Sequence, residues 1–151
     1  STPSNSSAAS DVYKRQVGAQ WGGSITGCSS SATVKGTVDV GGVAGQTNSN
    51  ATMTACYATG NVTSTGSSTV NVYIGGFCGY NSTTVTACYW KNNKEQGIGY
   101  NKVGTDTEVT KVDGTDVTWQ KAVDAMNTAL QNAGSEWRYE LTGALPTLRK
   151  Q

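Results

Sequence analysis

A short pattern of residues recurs in the first two thirds of the chain and limits its possible folds more than any other feature. The residues MTACY at 53–57 match VTACY at 85–89, and ITGC at 25–28 is a third copy. Two glycines, an apolar residue, a small residue and another glycine follow each other at 41–45 and again at 75–79. The repeat unit is therefore roughly 28 to 34 residues long, and self-similarity at such a period is typical of solenoids and other repeat arrays.

The residues between these motifs have the pattern of β-strands, in which alternate side chains lie on opposite faces. Two groups of apolar residues are each predicted to share a strand face: Val34, Val38 and Val40, and Val70, Val72 and Ile74. The chain is 36% apolar and 14% charged, with abundant Gly, Thr, Ser and Asn. This composition disfavours a helical bundle and favours short strands joined by many turns.

Glycine and asparagine recur at positions suited to bends between strands. Glycine permits a positive φ at the corners of a coil and lets neighbouring coils approach closely. Asparagine tolerates similar bends, so Asn48, Asn50, Asn61 and Asn81 are predicted to lie in them.

The glycine motifs, each followed by an Asn-rich turn, and the strand CYATGNV at 56–62 resemble the GLUG-motif repeat family. Such repeats occur in large secreted or surface-attached bacterial proteins, including adhesin-like proteins and non-catalytic parts of some immunoglobulin A peptidases. The resemblance covers about residues 22–93 and implies a mainly β fold, with a short, parallel β-helix-like solenoid over 17–93. This chain departs from the family pattern at Ala44 and Cys78, where a branched apolar residue is usual.

A single coil of this kind cannot bury its own apolar face, and roughly three stacked coils are needed for stability. The repeats at 17–93 amount to about two and a half coils. We therefore expect further repeats of the same protein on the N-terminal side, stacked against an open sheet edge of this chain.

The sequence predicts that residues 1–16 have a different origin from the rest of the chain. The segment SSAASDVYKRQ at 6–16 resembles the in-frame translation of a transposase-based sequencing adapter. We interpret 1–16 as a non-native, disordered tail derived from the adapter, and the chain as a metagenomic fragment. Segments of this kind are excluded from reasoning about the fold.

All four cysteines lie in the repeat region. Cys28, Cys56 and Cys88 occupy one repeat position, which predicts an inward-facing column of small apolar residues, whereas Cys78 occupies another position. The sequence has no C-x-x-C pair for a metal and no histidine to act as the base of a catalytic thiol. Two states remain open, namely four buried free thiols or at least one disulfide.

Five aromatic residues follow the predicted strands: Tyr57, Tyr73, Tyr80, Tyr89 and Trp90. One interpretation is that they stack and pack between coils. The alternative is an exposed aromatic platform that binds a glycan. Their spacing does not select between the two.

The composition changes after Asn93, and most charged residues of the chain lie on the C-terminal side of this position. Residues 94–117 are predicted to form an irregular connection. An amphipathic helix is predicted over 118–133, with a cap at Asp116 or Thr118 and an end at Gly134. Its apolar positions recur at helical spacing: Trp119, Ala122, Val123, Met126, Ala129 and Leu130.

The last residues are predicted to be extended. Trp137, Tyr139 and Leu141 alternate as in a strand, and LPTL at 145–148 predicts a final edge piece. We predict that residues 118–151, a helix with short strands, form a C-terminal cap, since the ends of solenoids need a polar cover against aggregation. A module that docks a partner is the alternative.

The chain lacks the residues of the common catalytic and cofactor sites. Without histidine it has neither Ser-His-Asp or Cys-His catalysis nor a His-bearing zinc site. A net charge of +1 gives no long-range attraction to nucleic acid or anionic membranes, and no apolar run has the length of a membrane span. Four acidic residues cluster in sequence: Asp106, Glu108, Asp113 and Asp116. We interpret them as a solvated turn, and we predict no catalytic, cofactor-binding or metal-ligating residue.

The expected function is a non-enzymatic, C-terminal fragment of a bacterial repeat protein, acting as an adhesin stalk, spacer or interaction scaffold. The expected location is extracellular or on the bacterial cell surface. Expected partners are a host or microbial surface glycan or protein, with no nucleic acid and no insertion into a membrane. The alternatives are a glycan-binding module that uses exposed tyrosines and a remnant of a β-helix polysaccharide-degrading enzyme.

Overall fold

Short strands are the main regular element in the residues that the computed structural model describes, which are 17–20, 23–65, 72–103 and 107–151. The predicted adapter-derived tail lies outside these residues. The strands are β1 (Val17–Gln20), β2 (Gly23–Thr26), β3 (Ser29–Ser30), β4 (Val34–Gly36), β5 (Asp39–Gly41), β6 (Ala44–Thr47), β7 (Ala51–Thr54), β8 (Tyr57–Ala58), β9 (Val62–Ser64), β10 (Tyr73–Gly75), β11 (Cys78–Asn81), β12 (Thr84–Trp90), β13 (Ile98–Asn101), β14 (Thr107–Lys111), β15 (Trp137–Glu140) and β16 (Thr147–Lys150). With one helix, α1 (Trp119–Asn132), the fold is mainly β, as predicted.

The strands before α1 form a stack of four tiers. We use "tier" for each group of strands at one level: β1–β5, β6–β10, β11–β12 and β13–β14. Strands pair in parallel with the equivalent strand of the next tier. One sheet has the order β1-β6-β11-β13, and in another β2, β7, β12 and β14 are neighbours. The sequence repeat is therefore a structural repeat, because equivalent segments are neighbours in the same sheets.

The register of these sheets aligns equivalent apolar residues inside the stack. Ile25, Met53 and Val85 are register partners in the first three tiers. The core cluster contains Ile25, Cys28, Val43, Ala44, Met53, Cys56, Ala58, Phe77, Cys78, Val85, Cys88 and Trp90. Ala44 and Cys78, the two departures from the family pattern, are themselves register partners and are fully buried. The smaller side chains thus belong to the continuous core.

A polar column also runs through the stack. Thr47 Oγ1 donates a hydrogen bond to Asn81 Oδ1 at 2.6 Å, and Asn81 Nδ2 donates to Asn101 Oδ1 at 3.0 Å. Asn81 is fully buried in β11, so its prediction as a bend residue is wrong. Asn48 does form a bend, since its Oδ1 accepts a hydrogen bond from the backbone N–H of Asn50 at 2.8 Å. The buried amide of Asn81 is tolerated because its polar atoms have partners.

The paired glycines leave room for neighbouring backbone. A Cβ at Gly75 would lie less than 3.0 Å from the backbone oxygens of Cys78 and Gly97 and from the nitrogen of Gly99. Gly41, the register partner of Gly75, is crowded in the same way by backbone atoms of Ala44 in the second tier and of Cys78 and Gly79 in the third. The predicted close approach is therefore confirmed at these positions.

The positive backbone angles occur elsewhere in the repeat. The residue before each cysteine of the column has a positive φ: Gly27 (63°), Ala55 (55°) and Ala87 (50°). The N–H of Gly27 donates to Thr54 O, and that of Ala55 donates to Thr86 O, in each case in the following tier. The N–H of Ala87 donates instead to the carboxylate of Glu108, at 3.0 Å. These bonds to the next tier hold two alanines in a conformation that favours glycine.

Two predictions about the strands need correction. Val38 does not share a buried face with Val34 and Val40, because the chain turns between β4 and β5 and leaves Val38 42% exposed. Val70 lies outside the described residues. The segment 94–117, predicted to be irregular, contains β13 and β14, which continue two sheets of the stack.

The helix begins and ends as predicted. Thr118 is its N-cap and accepts a hydrogen bond from the backbone N–H of Lys121 at 3.3 Å. Gly134 follows its C-terminus with a φ of 72°. The N–H groups of Gly134 and Ser135 donate to the last-turn carbonyls, which is a typical helix C-terminal motif.

The C-terminal module, which we define as α1 with the antiparallel pair β15 and β16, lies along the side of the stack. Leu148 and Leu130 lie next to Gly27 in the first tier. The same apolar cluster contains Ala55 and Ala87 from the second and third tiers, and Val112 after β14. One module thus contacts successive tiers along the flank of the stack, and its role as a cap stays a prediction. Because glycine and alanine have small side chains, the flank of the stack is shallow at the positive-φ positions, and large side chains of the module pack there.

Candidate functional site

Two of the clustered acidic residues, Glu108 and Asp113, accept hydrogen bonds from the backbone. The carboxylate of Glu108 accepts a hydrogen bond from the backbone N–H of Ala87 in the third tier. Asp113 Oδ1 accepts hydrogen bonds from two backbone N–H groups of the loop before α1, at 2.8 and 3.0 Å. These bonds hold the pKa of Asp113 below its usual value. Asp116 is exposed, and Asp106 lies outside the described residues. Across the described ranges, no group of three or more His, Cys, Asp or Glu residues is placed to hold a metal ion.

The cysteines are core residues. All four cysteines are buried and none forms a disulfide, which decides between the two open states, and Cys28, Cys56 and Cys88 form the predicted column. The backbone N–H of Cys56 lies 3.4 Å from Cys88 Sγ. Burial raises the pKa of the Cys56 thiol well above its usual range and that of Cys78 to about 12. A protonated, buried thiol is a poor nucleophile, which applies to Cys56 and Cys78 as core residues of the stack.

The five predicted aromatic residues separate into two groups. Tyr57 and Trp90 are buried, and Tyr89 is half-buried against the cluster of the C-terminal module. Trp90 packs inside the stack as predicted, whereas Tyr57 and Tyr89 pack against the C-terminal module and not between coils. Tyr73 and Tyr80 lie half-buried at the surface on a different side of the stack.

A third tyrosine, Tyr100, joins Tyr73 and Tyr80 in what we call the tyrosine patch. The ring centroids are 5.6 Å apart for Tyr73 and Tyr80, 5.0 Å for Tyr73 and Tyr100, and 5.2 Å for Tyr80 and Tyr100. Tyr80 and Tyr100 are stacked with an interplanar angle of 20°. Tyr100 is 44% exposed. The patch is thus a compact aromatic surface whose outermost ring is open to solvent.

The sheet register builds this patch. Tyr80 in β11 and Tyr100 in β13 are register partners, and so are Gln46 in β6 and Tyr80. Because adjacent strands are about 4.8 Å apart, Gln46, Tyr80 and Tyr100 form a row along the axis of the stack. Tyr73 comes from the adjoining strand β10 and packs against both other rings.

A polar groove of about 410 Å³ adjoins the patch. Its lining residues are Gln46, Thr47, Asn48, Ser49, Tyr80, Ser82, Lys102 and Val103. Most of them carry amide or hydroxyl groups, which both donate and accept hydrogen bonds. Lys102 brings an ammonium group to the groove, and Asp39, the register partner of Tyr73, lies beside the tyrosine patch. Burial raises the pKa of the Asp39 carboxyl group.

Sequence reasoning missed Tyr100 because it lies in the segment predicted to be irregular. A signal was present, since IGYN at 98–101 repeats CGYN at 78–81. The structure pairs these two segments residue for residue. This four-residue repeat, shorter than the full unit, indicates both the fourth tier and Tyr100.

Comparisons with models of protein families, with curated proteins and with solved structures found no match to this chain. Among the described residues, α1 is too short and too polar for a membrane span, and no other helix qualifies.

Proposed function

We propose that the chain is the end region of a β-solenoid repeat protein related to the GLUG-motif family, and that it serves as a non-enzymatic stalk, spacer or scaffold outside a bacterial cell. The observation that carries the proposal is the parallel register, in which equivalent residues of successive repeats are partners. Stacked coils of a solenoid require this pairing, since each coil buries the apolar face of its neighbour. The resemblance to surface proteins supports the extracellular location.

The two edges of the stack support its assignment as an end region. Within the described chain, β1 to β5 pair on one side only, with the second tier, and carry Lys35 and Asp39 as their charged residues. At the other edge, Lys102 follows β13, and β14 contains Glu108 and Lys111. Charged side chains on an edge strand oppose further pairing. In the sheet bordered by β2 and β14, β2 has no charged residue and is suited to receive another strand, whereas the charged β14 is suited to stop the stack.

The described acidic residues give less support to a polysaccharide-degrading enzyme. Such enzymes need carboxyl groups that face a substrate together. Glu108 instead satisfies a backbone N–H in the flank of the stack, and Asp113 stabilises the loop before α1. The non-enzymatic role is the better account of both residues.

The experiment adds one repeat at either of two places. Residues 51–82 are one full unit in register, because Gly23 pairs with Ala51 and Thr84 pairs with Thr52. One variant carries a second copy of 51–82 immediately before Gly23, and the matched variant carries the same copy immediately after Ser82. The two variants have the same composition and differ only in where the new tier lies relative to the C-terminal module.

The copy before Gly23 should raise the thermal midpoint by several degrees, because it adds an interface between tiers and leaves the module in place. The copy after Ser82 should raise it less or lower it. This second variant places Ala55 and Tyr57 under the β15–β16 hairpin, at the position that Gly27 and Ser29 occupy in the unaltered chain. Circular dichroism measures both midpoints. A copy before Gly23 that fails to gain β signal, or that lowers the midpoint, contradicts the proposal.

A further inference from the structure

We infer that the tyrosine patch and the adjoining groove form a binding site for a neutral pyranose sugar, as a unit of a glycan chain. In this site a sugar ring packs on Tyr100, and the amide and hydroxyl groups of the groove bind the sugar hydroxyls. The inference rests on the proposed scaffold, because rings from three tiers must stack to build the site.

The rings provide the apolar half of the recognition. One face of a pyranose presents C–H groups that carry partial positive charge, and an aromatic face carries partial negative charge. Tyr100 lies against Tyr80 on one side, and β13 is the last strand of its sheet among the described residues. The side of the Tyr100 ring turned away from Tyr80 therefore has no further tier of the described chain beside it, in agreement with its 44% exposure. Tyr73 supports the same ring from the neighbouring strand at 5.0 Å.

The groove provides the polar half. Sugar hydroxyls both donate and accept hydrogen bonds, and so do the amide of Gln46 and the hydroxyls of Ser49 and Ser82. Gln46 is in register with Tyr80, so the amide lies one strand spacing from the rings, in the direction of the groove. The groove lies beside the tyrosine row, because Ser82 and Lys102 directly follow β11 and β13, so a glycan packed on Tyr100 reaches the groove across the ends of these strands.

The charge of the site selects among ligand classes. The site has one ammonium group, Lys102, and one carboxyl group beside the tyrosine patch, Asp39. Nucleic acids and acidic polysaccharides bind through clusters of cations, and the described part of the site contains no such cluster. A small aromatic and amide surface with one charge of each sign fits a neutral glycan.

The test uses the full chain with ¹³C-labelled tyrosine rings, observed by nuclear magnetic resonance. The probes are cellohexaose, maltohexaose, chitohexaose and mannohexaose, with hexagalacturonate as an anionic comparison. The variants are Tyr100→Ala, which removes the ring, and Tyr100→Phe, which retains it. Leu145→Ala is the control, since Leu145 is a similarly exposed apolar residue near the C-terminal module.

At least one neutral hexasaccharide should shift the ring signals of Tyr100 and Tyr80. Loss of the ring in Tyr100→Ala should weaken that affinity by about tenfold or more, whereas Tyr100→Phe and Leu145→Ala should stay close to the unaltered chain. The sugar site is overturned if no neutral probe shifts these signals at millimolar concentration, or if Tyr100→Ala binds equally well. Tighter binding of hexagalacturonate, or shifts that depend only on protein concentration, also overturn it.

The same spectra separate this inference from the proposed scaffold. Through-space contacts between the Tyr80 and Tyr100 rings report that the tiers are stacked. If these contacts are present and no sugar binds, the sugar site alone is wrong. If the contacts are missing from the folded chain, the scaffold proposal fails as well.

Discussion

The stack and the C-terminal module of this protein are stabilised in different ways. In the stack, backbone hydrogen bonds join each tier to the next, and glycine, alanine and cysteine occupy the tightest positions. In the module, large apolar side chains such as Met126 and Leu130 are fully buried against the flank. Added volume is therefore the main threat to the stack, whereas lost volume is the main threat to the module.

The largest effect is expected from Gly75→Ala. The new methyl group would lie less than 3.0 Å from backbone atoms at residues 78, 97 and 99, none of which can move without displacing a tier. The loss of unfolding free energy should exceed the range of about 1 to 3 kcal/mol that is usual for an overpacked core. Urea unfolding followed by circular dichroism measures it.

The control for this substitution is Gly143→Ala, because a Cβ at Gly143 meets no atom within 4 Å. Its unfolding midpoint should stay near that of the unaltered chain. A stable Gly75→Ala protein would show that the tiers separate easily, and the contrast between stack and module would then be wrong.

A smaller but clear effect is expected from Leu130→Ala in the module. Leu130 is fully buried, and its truncation leaves a cavity, so the expected loss is about 3 kcal/mol. The matched control is Gln131→Ala, at the exposed neighbouring position of α1. Urea unfolding should show one shifted transition. A helix signal that is lost before the β signal would instead mean that the module and the stack unfold independently.

The smallest effect at neutral pH is expected from Tyr139→Phe, which tests the joint between the two regions. Tyr139 donates a hydrogen bond to the backbone oxygen of Ala55 at 2.8 Å, and its loss should cost about 1 kcal/mol. Burial raises the pKa of Tyr139 well above its usual range. Stability from this group is therefore complete below about pH 10, the usual tyrosine pKa, and is lost as the pH rises toward the raised value.

Urea unfolding from pH 7 to 11 should show this alkaline loss in the unaltered chain. The decline should be shallower in Tyr139→Phe, because one of the buried ionisable groups is gone. It should not vanish, since burial also raises the pKa of Cys78, in the stack, to about 12. Parallel declines in the two proteins would show that Tyr139 ionises without breaking the joint.

The repeat itself predicted much of the stack. The column of Cys28, Cys56 and Cys88 and the close approach at the paired glycines follow from residue size and period. The fourth tier escaped prediction because its residues are more charged, and only IGYN at 98–101 retains the pattern. Helix α1 was predictable from its apolar spacing and its cap at Thr118.

The place of that helix was not predictable from its own sequence. An amphipathic helix has the same pattern whether it covers the end of a stack or its side. The distinguishing residues are Gly27, Ala55 and Ala87, which are small and share one repeat position, but only tertiary packing shows that they face outward. The tyrosine patch was not predicted for a related reason. Tyr73 lies in one sheet, whereas Tyr80 and Tyr100 lie in another, so only tertiary packing brings the three rings together.

The position of the C-terminal module along the flank has a consequence for how such a protein can change in length. The hairpin fits the small first-tier residues Gly27 and Ser29, while α1 fits Ala87 and Val112. A recombination event that gains or loses one repeat beneath the module shifts these surfaces by about one strand spacing, 4.8 Å. Such an event is tolerated only on the side of the first tier that faces away from the second tier. The module therefore fixes the number of tiers that it spans, and a repeat can be gained without disturbing it only on that side.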